Sequence, residues 1–370
     1  MQLKRLSIVF LMTAALARSA SAAGPTPADQ CRFIGVRDFT AFNVGMSTNI
    51  DEISLISPVF KAPIAWNELV ASWNAVMPTN AWLKVEAMGI YPDHTTRYYT
   101  MGVWSANTGS NWRGSVRDQA DADGRVDTDT LIMMRPGADV QVRLTLVGPG
   151  QQFRPQLKFL GLSFLDNNIK IAALPPNRAA WGKAVPTPEF SQHAYSNENG
   201  WCSPASLAMV LDRWGHVLHQ PDLNVSVPAV AAGVYDPHLD GTGNWSFNAA
   251  YAGGFPGMRA YVTRFSDISE IEDWIADGIP VIISAPWHLL ESGRKDTGSG
   301  HLAVCIGFTR DGSVIVNDPA GNPHEHQAIR HIYDRQNVIN AWSQSRHIVY
   351  LVYPETAQIP ADHYGHWENP

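Results

Sequence analysis

Residues 199–211 read Asn199-Gly200-Trp201-Cys202-Ser203-Pro204-Ala205-Ser206-Leu207-Ala208-Met209-Val210-Leu211. A helix opens inside this stretch. Ser203 suits the N-cap, Pro204 the first helical position, and Gly215 stands past the expected end. Leu207, Val210, Leu211 and Trp214 fall at i, i+3, i+4 and i+7, so one helix face is core. The thiol of Cys202 therefore sits immediately before a helix N-terminus. Unpaired N–H groups and the positive end of the helix dipole favour thiolate there, and the thiolate is the nucleophilic form. Free cysteine is also a common packing residue, so position alone leaves both roles open.

Downstream, Asp267 with Glu270 three residues later caps a second helix. Ile268, Ile271 and Ile275 point inward until Gly278 stops it. Strands are expected over Val281–Ala285, Leu302–Phe308, Ser313–Asn317 and Ile348–Tyr353. Helices followed by an antiparallel sheet mean α+β. Gly300-His301 leads into the second of these strands, and Thr309-Arg310-Asp311-Gly312 turns the chain back towards Asp318-Pro319. A four-residue loop pairs Phe308 with Ser313, and hence Ala303 with Asp318. His301 then lies one diagonal step from Asp318 on the same face. An imidazole held by a carboxylate is the base and orienter of a Cys–His–Asp triad.

Upstream, Leu174-Pro175-Pro176 opens a linker that runs through Pro186 and Pro188, a stretch unable to continue a helix or a central strand. Before it, residues 31–170 read as β. Trp82–Met88, Arg97–Trp104, Thr128–Met134 and Val140–Leu146 are rich in β-branched and aromatic residues, with turn clusters such as Ala122-Asp123-Gly124 and Pro136-Gly137 between them. Val140, Val142, Leu144 and Leu146 alternate with Gln141, Arg143 and Thr145, giving a strand with one wet face. A β-sandwich or jelly roll is the expected architecture. The organisation is then a leader at 1–22, a β domain at 31–170, a Pro-rich linker at 171–188, an α+β domain at 189–355 and a tail at 356–370. Few contacts are expected across the linker, so the β domain should fold independently.

At the front, Lys4 and Arg5 precede an apolar run from Leu6 to Leu16 and then Ala20-Ser21-Ala22. This is the layout of a signal peptide cleaved after Ala22, and the run is too short to span a membrane. A secreted or periplasmic protein is expected, with no membrane span. Lys+Arg 27 against Asp+Glu 34 gives −7 over 370 residues. Losing residues 1–22 removes Lys4, Arg5 and Arg18 and no acid, which deepens the balance to −10. An electropositive footprint for nucleic acid is missing. At 45% hydrophobic and 16% charged, the composition also excludes an acidic disordered chain or a coiled coil. The cysteines Cys31, Cys202 and Cys305 are odd in number, so at least one stays unpaired within the chain. Cys305, in mid-strand on the His301 face, reads as a buried hydrophobe, with Cys31–Cys305 pairing as the alternative.

The three segments 199–211, Gly300-His301-Leu302-Ala303-Val304 and Val314-Ile315-Val316-Asn317-Asp318-Pro319 together resemble the family thirty-nine-like cysteine peptidases. These are relatives of the bacteriocin-processing peptidases within the papain-like superfamily. The resemblance covers residues 180–355. It implies a papain-like domain with Cys202 as nucleophile, His301 as base and then acid, and Asp318 as orienter. It also implies an upstream Gln as oxyanion donor, for which Gln192 is the candidate, beside the backbone N–H of Cys202. Trp201 and the Trp245 of Asn244-Trp245-Ser246-Phe247-Asn248 are candidate cleft residues. Residues 291–300, with three glycines, read as a lid or a surface loop. His324-Glu325-His326 and His331 form no helical zinc motif and read as a solvated turn, so no metal or other cofactor is expected. The expected activity is hydrolysis of peptide or amide bonds through a thioester, on a peptide or cell-wall substrate. A peptidoglycan-directed amidase or acyltransferase uses the same machinery. The alternative from another class is a non-catalytic protein whose β domain binds glycan or a surface partner.

Overall fold

A computed structural model describes residues 24–370 other than 46, 48, 109–112, 196–199 and 294–299. The signal-peptide reading of 1–22 lies outside the described residues.

Residues 31–165 build two sheets over a shared core. One carries, in order, Trp367–Glu368, Cys31–Val36, Gln156–Leu165, Glu68–Val76, Thr130–Met133 and Gly124–Asp127. The other carries Asn43–Gly45, Glu52–Ile56, Asp139–Val147, Trp82–Ile90 and Tyr99–Trp104. Alternation sets the layering: Val140, Val142 and Leu144 from one sheet meet Leu69, Ala71 and Trp73 from the other in one core. The first strand in the first sheet's order comes from the far C-terminus. It pairs in parallel with Cys31–Val36, so the segment read as a tail closes back on the β domain.

The second domain has a sheet ordered Met258–Arg264, Ile348–Pro354, Val281–Ser284, Leu302–Phe308, Val314–Asn317 and Arg330–Tyr333. Helix Cys202–Leu218 lies against it, with the Trp214 indole donating to the Val352 carbonyl at 2.9 Å and the Ser206 hydroxyl to Leu302 at 3.1 Å. Leu207, Val210 and Leu211 are fully buried, each stabilising by about 1.5–3 kcal/mol. The helix starts two residues earlier than the capping pattern predicts: Cys202 is its first residue and Trp201 its N-cap. It also runs past Gly215 to a left-handed cap at His219. Gly215 serves close approach instead, since a Cβ there would come within 2.0 Å of Asn224 Oδ1 in the following turn.

The two domains are not hinged loosely, and the expectation of few contacts between them is overturned. Met258–Arg264 is an edge strand of the second sheet. Its free edge is capped by side chains of the β domain: Asn74 donates to Ala260 O at 2.7 Å and accepts from Ala260 N at 3.1 Å, while the Ser72 hydroxyl accepts from Val262 N at 3.2 Å. Beside them Glu68 and Arg264, both buried, pair at 3.0 Å across the seam. Breaking such a pair from one side typically costs about 3–5 kcal/mol. Helix Trp245–Gly254 completes the seam, with Phe247 edge-on to Trp104 at 5.1 Å. The Pro-rich segment is tied down as well. Lys183–Ala184 pairs with Leu302–Phe308, and the Trp181 indole donates to Glu272 at 2.6 Å. Prolines stop regular structure, but they do not prevent packing.

Candidate active site

Cys202 enters from the helix start, His301 from the residue before strand Leu302–Phe308, and Asp318 from just after Val314–Asn317. The loop joining these strands pairs Phe308 with Val314, one residue off the expected register. An irregularity between Cys305 and Gly307 takes up the difference, so that Val304 faces Asn317. The two offsets cancel, and His301 reaches Asp318.

His301 Nε2 lies 2.7 Å from Asp318 Oδ1, which leaves Nδ1 for the thiol of Cys202, and the imidazole favours the Cys202 thiolate electrostatically. Asp318 is fully buried. Its Oδ1 also accepts from Ala320 N at 2.8 Å, and its Oδ2 accepts from the Tyr333 hydroxyl at 2.8 Å. Burial works against the Asp318 carboxylate, but His301 and these donors outweigh it and hold its pKa below the ordinary value. Burial likewise opposes the His301 imidazolium; the Asp318 charge and then Cys202 overcome this and raise its pKa to about 10. Burial would push the Cys202 thiol up. His301, with the N–H groups of Leu302 and Ser203, more than compensates, so it titrates below the usual thiol range. The arrangement favours a thiolate–imidazolium pair at neutral pH.

Cys202 and His301 meet at an open cleft of about 540 Å³, with Asp318 buried behind the imidazole. Cys202, His301 and Gln192 all line it. The Gln192 turn is fastened to the loop after Asp318, with Gln192 N donating to Pro319 O at 2.9 Å and the Ser191 hydroxyl to Gly321 O at 2.5 Å. Trp201 is half-buried, its ring 5.9 Å from that of Tyr195 against the core, and it is not among the cleft-lining residues. Trp245 is a correction. It begins the seam helix, its N–H donates to Asp129 at 2.7 Å, and it lines a separate cavity with Arg264 and Arg346. The cleft aromatic is Trp287, joined by His193, His288 and Asn322. Sequence reasoning passed over these because they come from three separate segments, around His193, Trp287-His288 and Asn322. Pro286 directly before Trp287-His288 was the available signal for a helix start there.

Residues 186–350 match the Peptidase C39-like family, and residues 33–164 match the Peptidase C39 N-terminal domain. The two matches together are those of a C39-like cysteine peptidase with its N-terminal domain. Its architecture is a papain-like domain preceded by a β domain. No curated protein and no solved structure matches it.

Among the other readings for this C39-like peptidase, the described part of 291–300 begins with the end of helix Trp287–Ser292 and a left-handed Gly293 cap; 294–299 lie outside the described residues. All three cysteines are free and buried, so Cys31 and Cys305 are not paired. Burial pushes the Cys305 thiol up to about 12. Among the described residues no group of three or more His, Cys, Asp or Glu is placed to hold a metal ion. His331 stacks on Tyr333 with ring centroids 5.4 Å apart, and Glu325 reaches the cleft rim. No described helix is long and apolar enough to cross a membrane.

Proposed function

We propose that this peptidase is a thiol hydrolase that cleaves peptide or amide bonds with Cys202, His301 and Asp318. The observation that carries the reading is a cysteine at the first residue of a helix that shares one cleft with a histidine, whose Nε2 is in turn 2.7 Å from a buried carboxylate. The Cys202 thiolate adds to the carbonyl carbon. The oxyanion formed is taken by the N–H of Cys202 and the amide of Gln192. As the C–N bond breaks, the His301 imidazolium gives its proton to the leaving amine and a thioester remains. Water then adds to the thioester carbonyl while His301 accepts its proton, and the acid leaves as the C–S bond breaks. Asp318 keeps the ring in the working orientation throughout.

Export is part of the proposal, supported by Lys4-Arg5, the apolar run to Leu16 and Ala20-Ser21-Ala22. The test is digestion of a peptide library and a cell-wall preparation by the unaltered chain and by Cys202→Ala, with N-terminal sequencing of the exported product. New termini in either digest that are lost in Cys202→Ala support the reading. Cleavage that survives in Cys202→Ala sinks it.

A further inference from the structure

A chain of hydrogen bonds runs from the β domain to the residue two places before Cys202. It starts at Ser115, whose N–H donates to both carboxylate oxygens of Asp236, at 3.1 and 3.2 Å. Asp236 is fully buried and also accepts from His238 N at 3.0 Å, Leu239 N at 3.3 Å and Asn244 Nδ2 at 2.9 Å. Hydrogen bonds to a carboxylate are stronger than neutral ones, so this carboxylate locks the 236–244 loop to the β domain. Arg113, buried in the β domain, grips the same segment by donating to the carbonyls of Tyr235 at 2.9 Å and of Gly233.

The loop's far end is held as tightly. Asn244 caps helix Trp245–Gly254, and the Asn248 amide donates to Thr242 O at 2.9 Å and to Asn244 O at 2.8 Å. Thr242, itself buried, turns its hydroxyl outward from this fixed turn and donates to Gly200 O at 2.8 Å. Gly200 has φ of +76°, a conformation that glycine takes freely and that gives the backbone little restraint of its own. Its peptide plane sets the direction in which Trp201 and the N–H of Cys202 enter the helix.

We propose that the β domain pre-sets the oxyanion pocket of the peptidase domain through the relay Ser115–Asp236–Asn244–Asn248–Thr242–Gly200, with Thr242 as a positioning residue. This rests on the reading of Cys202 as nucleophile and of its N–H as an oxyanion donor. The relay predicts a defect confined to reactions that form an oxyanion. Iodoacetamide alkylates the thiolate without building a tetrahedral oxyanion, whereas p-nitrophenyl acetate acylates it through one. Both probes work without knowledge of the natural substrate.

The experiment measures the two rates at Cys202 in the full chain. Thr242→Val, which removes the hydroxyl and keeps the shape, should slow acylation about tenfold while alkylation stays within about twofold. Thr242→Ser, which keeps the hydroxyl, should restore acylation to within about threefold. Should Thr242→Val not fold, Thr242→Ala carries the same comparison. Acylation unchanged in the hydroxyl-less variant overturns the proposal, as do equal losses in both rates or in the Val and Ser variants. His301→Ala separates this from failure of the underlying reading. If that variant alkylates as fast as the unaltered chain, the nucleophile assignment fails.

Discussion

Among the described residues lie two cysteine–histidine–carboxylate groupings, of which the one at Cys202 faces a cleft. In the second, Cys31 Sγ is 3.3 Å from His366 Nδ1, and His366 Nε2 is 2.8 Å from Glu270 Oε2. The nitrogens are used as in the first: Nδ1 towards sulfur, Nε2 towards carboxylate. The surroundings differ in every respect that matters for chemistry. Cys31 begins a strand and has no helix N-terminus beneath it, and its sulfur also touches Arg264 O and Ser266 Oγ. Cys31, His366 and Glu270 are each at most 2% exposed, sealed between the β domain, helix Ile268–Ala276 and the C-terminal segment. The His366–Glu270 contact, though short, lies off the hydrogen-bonding direction, whereas His301–Asp318 is aligned. Burial lowers the His366 pKa, but the Cys31 and Glu270 charges outweigh it and raise it. The same residue types make a clasp in one place and a candidate catalyst in the other. What separates them is a route for substrate and donors for a developing charge.

The largest expected difference is in turnover. His301→Ala should lower it by about 10³-fold or more, since it removes both base and acid. His366→Ala should leave turnover per folded molecule within about threefold while lowering thermal stability, because it strands Glu270 in the interior. Steady-state rates and melting curves on both variants check this. Comparable activity losses would erase the distinction between the sites. Asp318→Asn comes next, with a loss of about 10- to 100-fold, because a thiolate–imidazolium pair needs less help from its orienter than a serine does.

Thiol reactivity sharpens the contrast at smaller amplitude. At neutral pH Cys202 should alkylate about tenfold or more faster than Cys31 or Cys305, which mass spectrometry of the labelled native protein resolves. The direction of the pH profile follows from the shifts. With its pKa lowered, Cys202 should remain reactive below the range in which ordinary thiols lose their thiolate. The imidazolium partner persists until His301 deprotonates near pH 10. His301→Ala removes the compensation and leaves the burial, so its reactive limb should move to higher pH. A profile that stays in place would disconnect the two side chains.

Local signals carried much of this site into view. The helix around Cys202 announced itself by apolar period and Pro204, and His301 and Asp318 share one hairpin, so a strand register sufficed to bring them together. The register was legible only in its net result, since the irregularity near Ile306 is marked by nothing but Gly307, a strand glycine that fits a bulge or a close backbone approach equally well. The Cys31 grouping was illegible because residues 31, 270 and 366 come from three distant segments, one of them read as a tail. Trp245 was misplaced for a related reason. An aromatic at a helix start fits a cleft and a domain seam equally well, and Asn74, Ser72 and Glu68, the side chains that make the seam, look in sequence like ordinary strand polar residues.

Tyr333 provides the finest test of what distinguishes the open site. Its hydroxyl donates to Asp318 Oδ2 at 2.8 Å, leaving Oδ1 for His301. Glu270 has a backbone donor instead, Ser266 N at 2.6 Å from Oε1. Tyr333→Phe removes one donor and leaves Ala320 N and His301 in place, so the carboxylate loses part of what offsets its burial. A single hydrogen bond of this kind is worth about 0.5–1.5 kcal/mol, more when charged, and only part of it is felt at the imidazole. Turnover should fall about two- to fivefold. The pH dependence gives the sign. A carboxylate with a depressed pKa contributes stability that is present above its unfolded value and lost as pH falls through the folded one. Removing the Tyr333 donor raises the folded pKa of Asp318 towards that unfolded value. Acid unfolding of Tyr333→Phe should therefore begin at a higher pH than in the unaltered chain, as circular dichroism across an acid titration would show. A turnover loss as large as that of Asp318→Asn would mean that the tyrosine, and not the carboxylate it supports, fixes the imidazole.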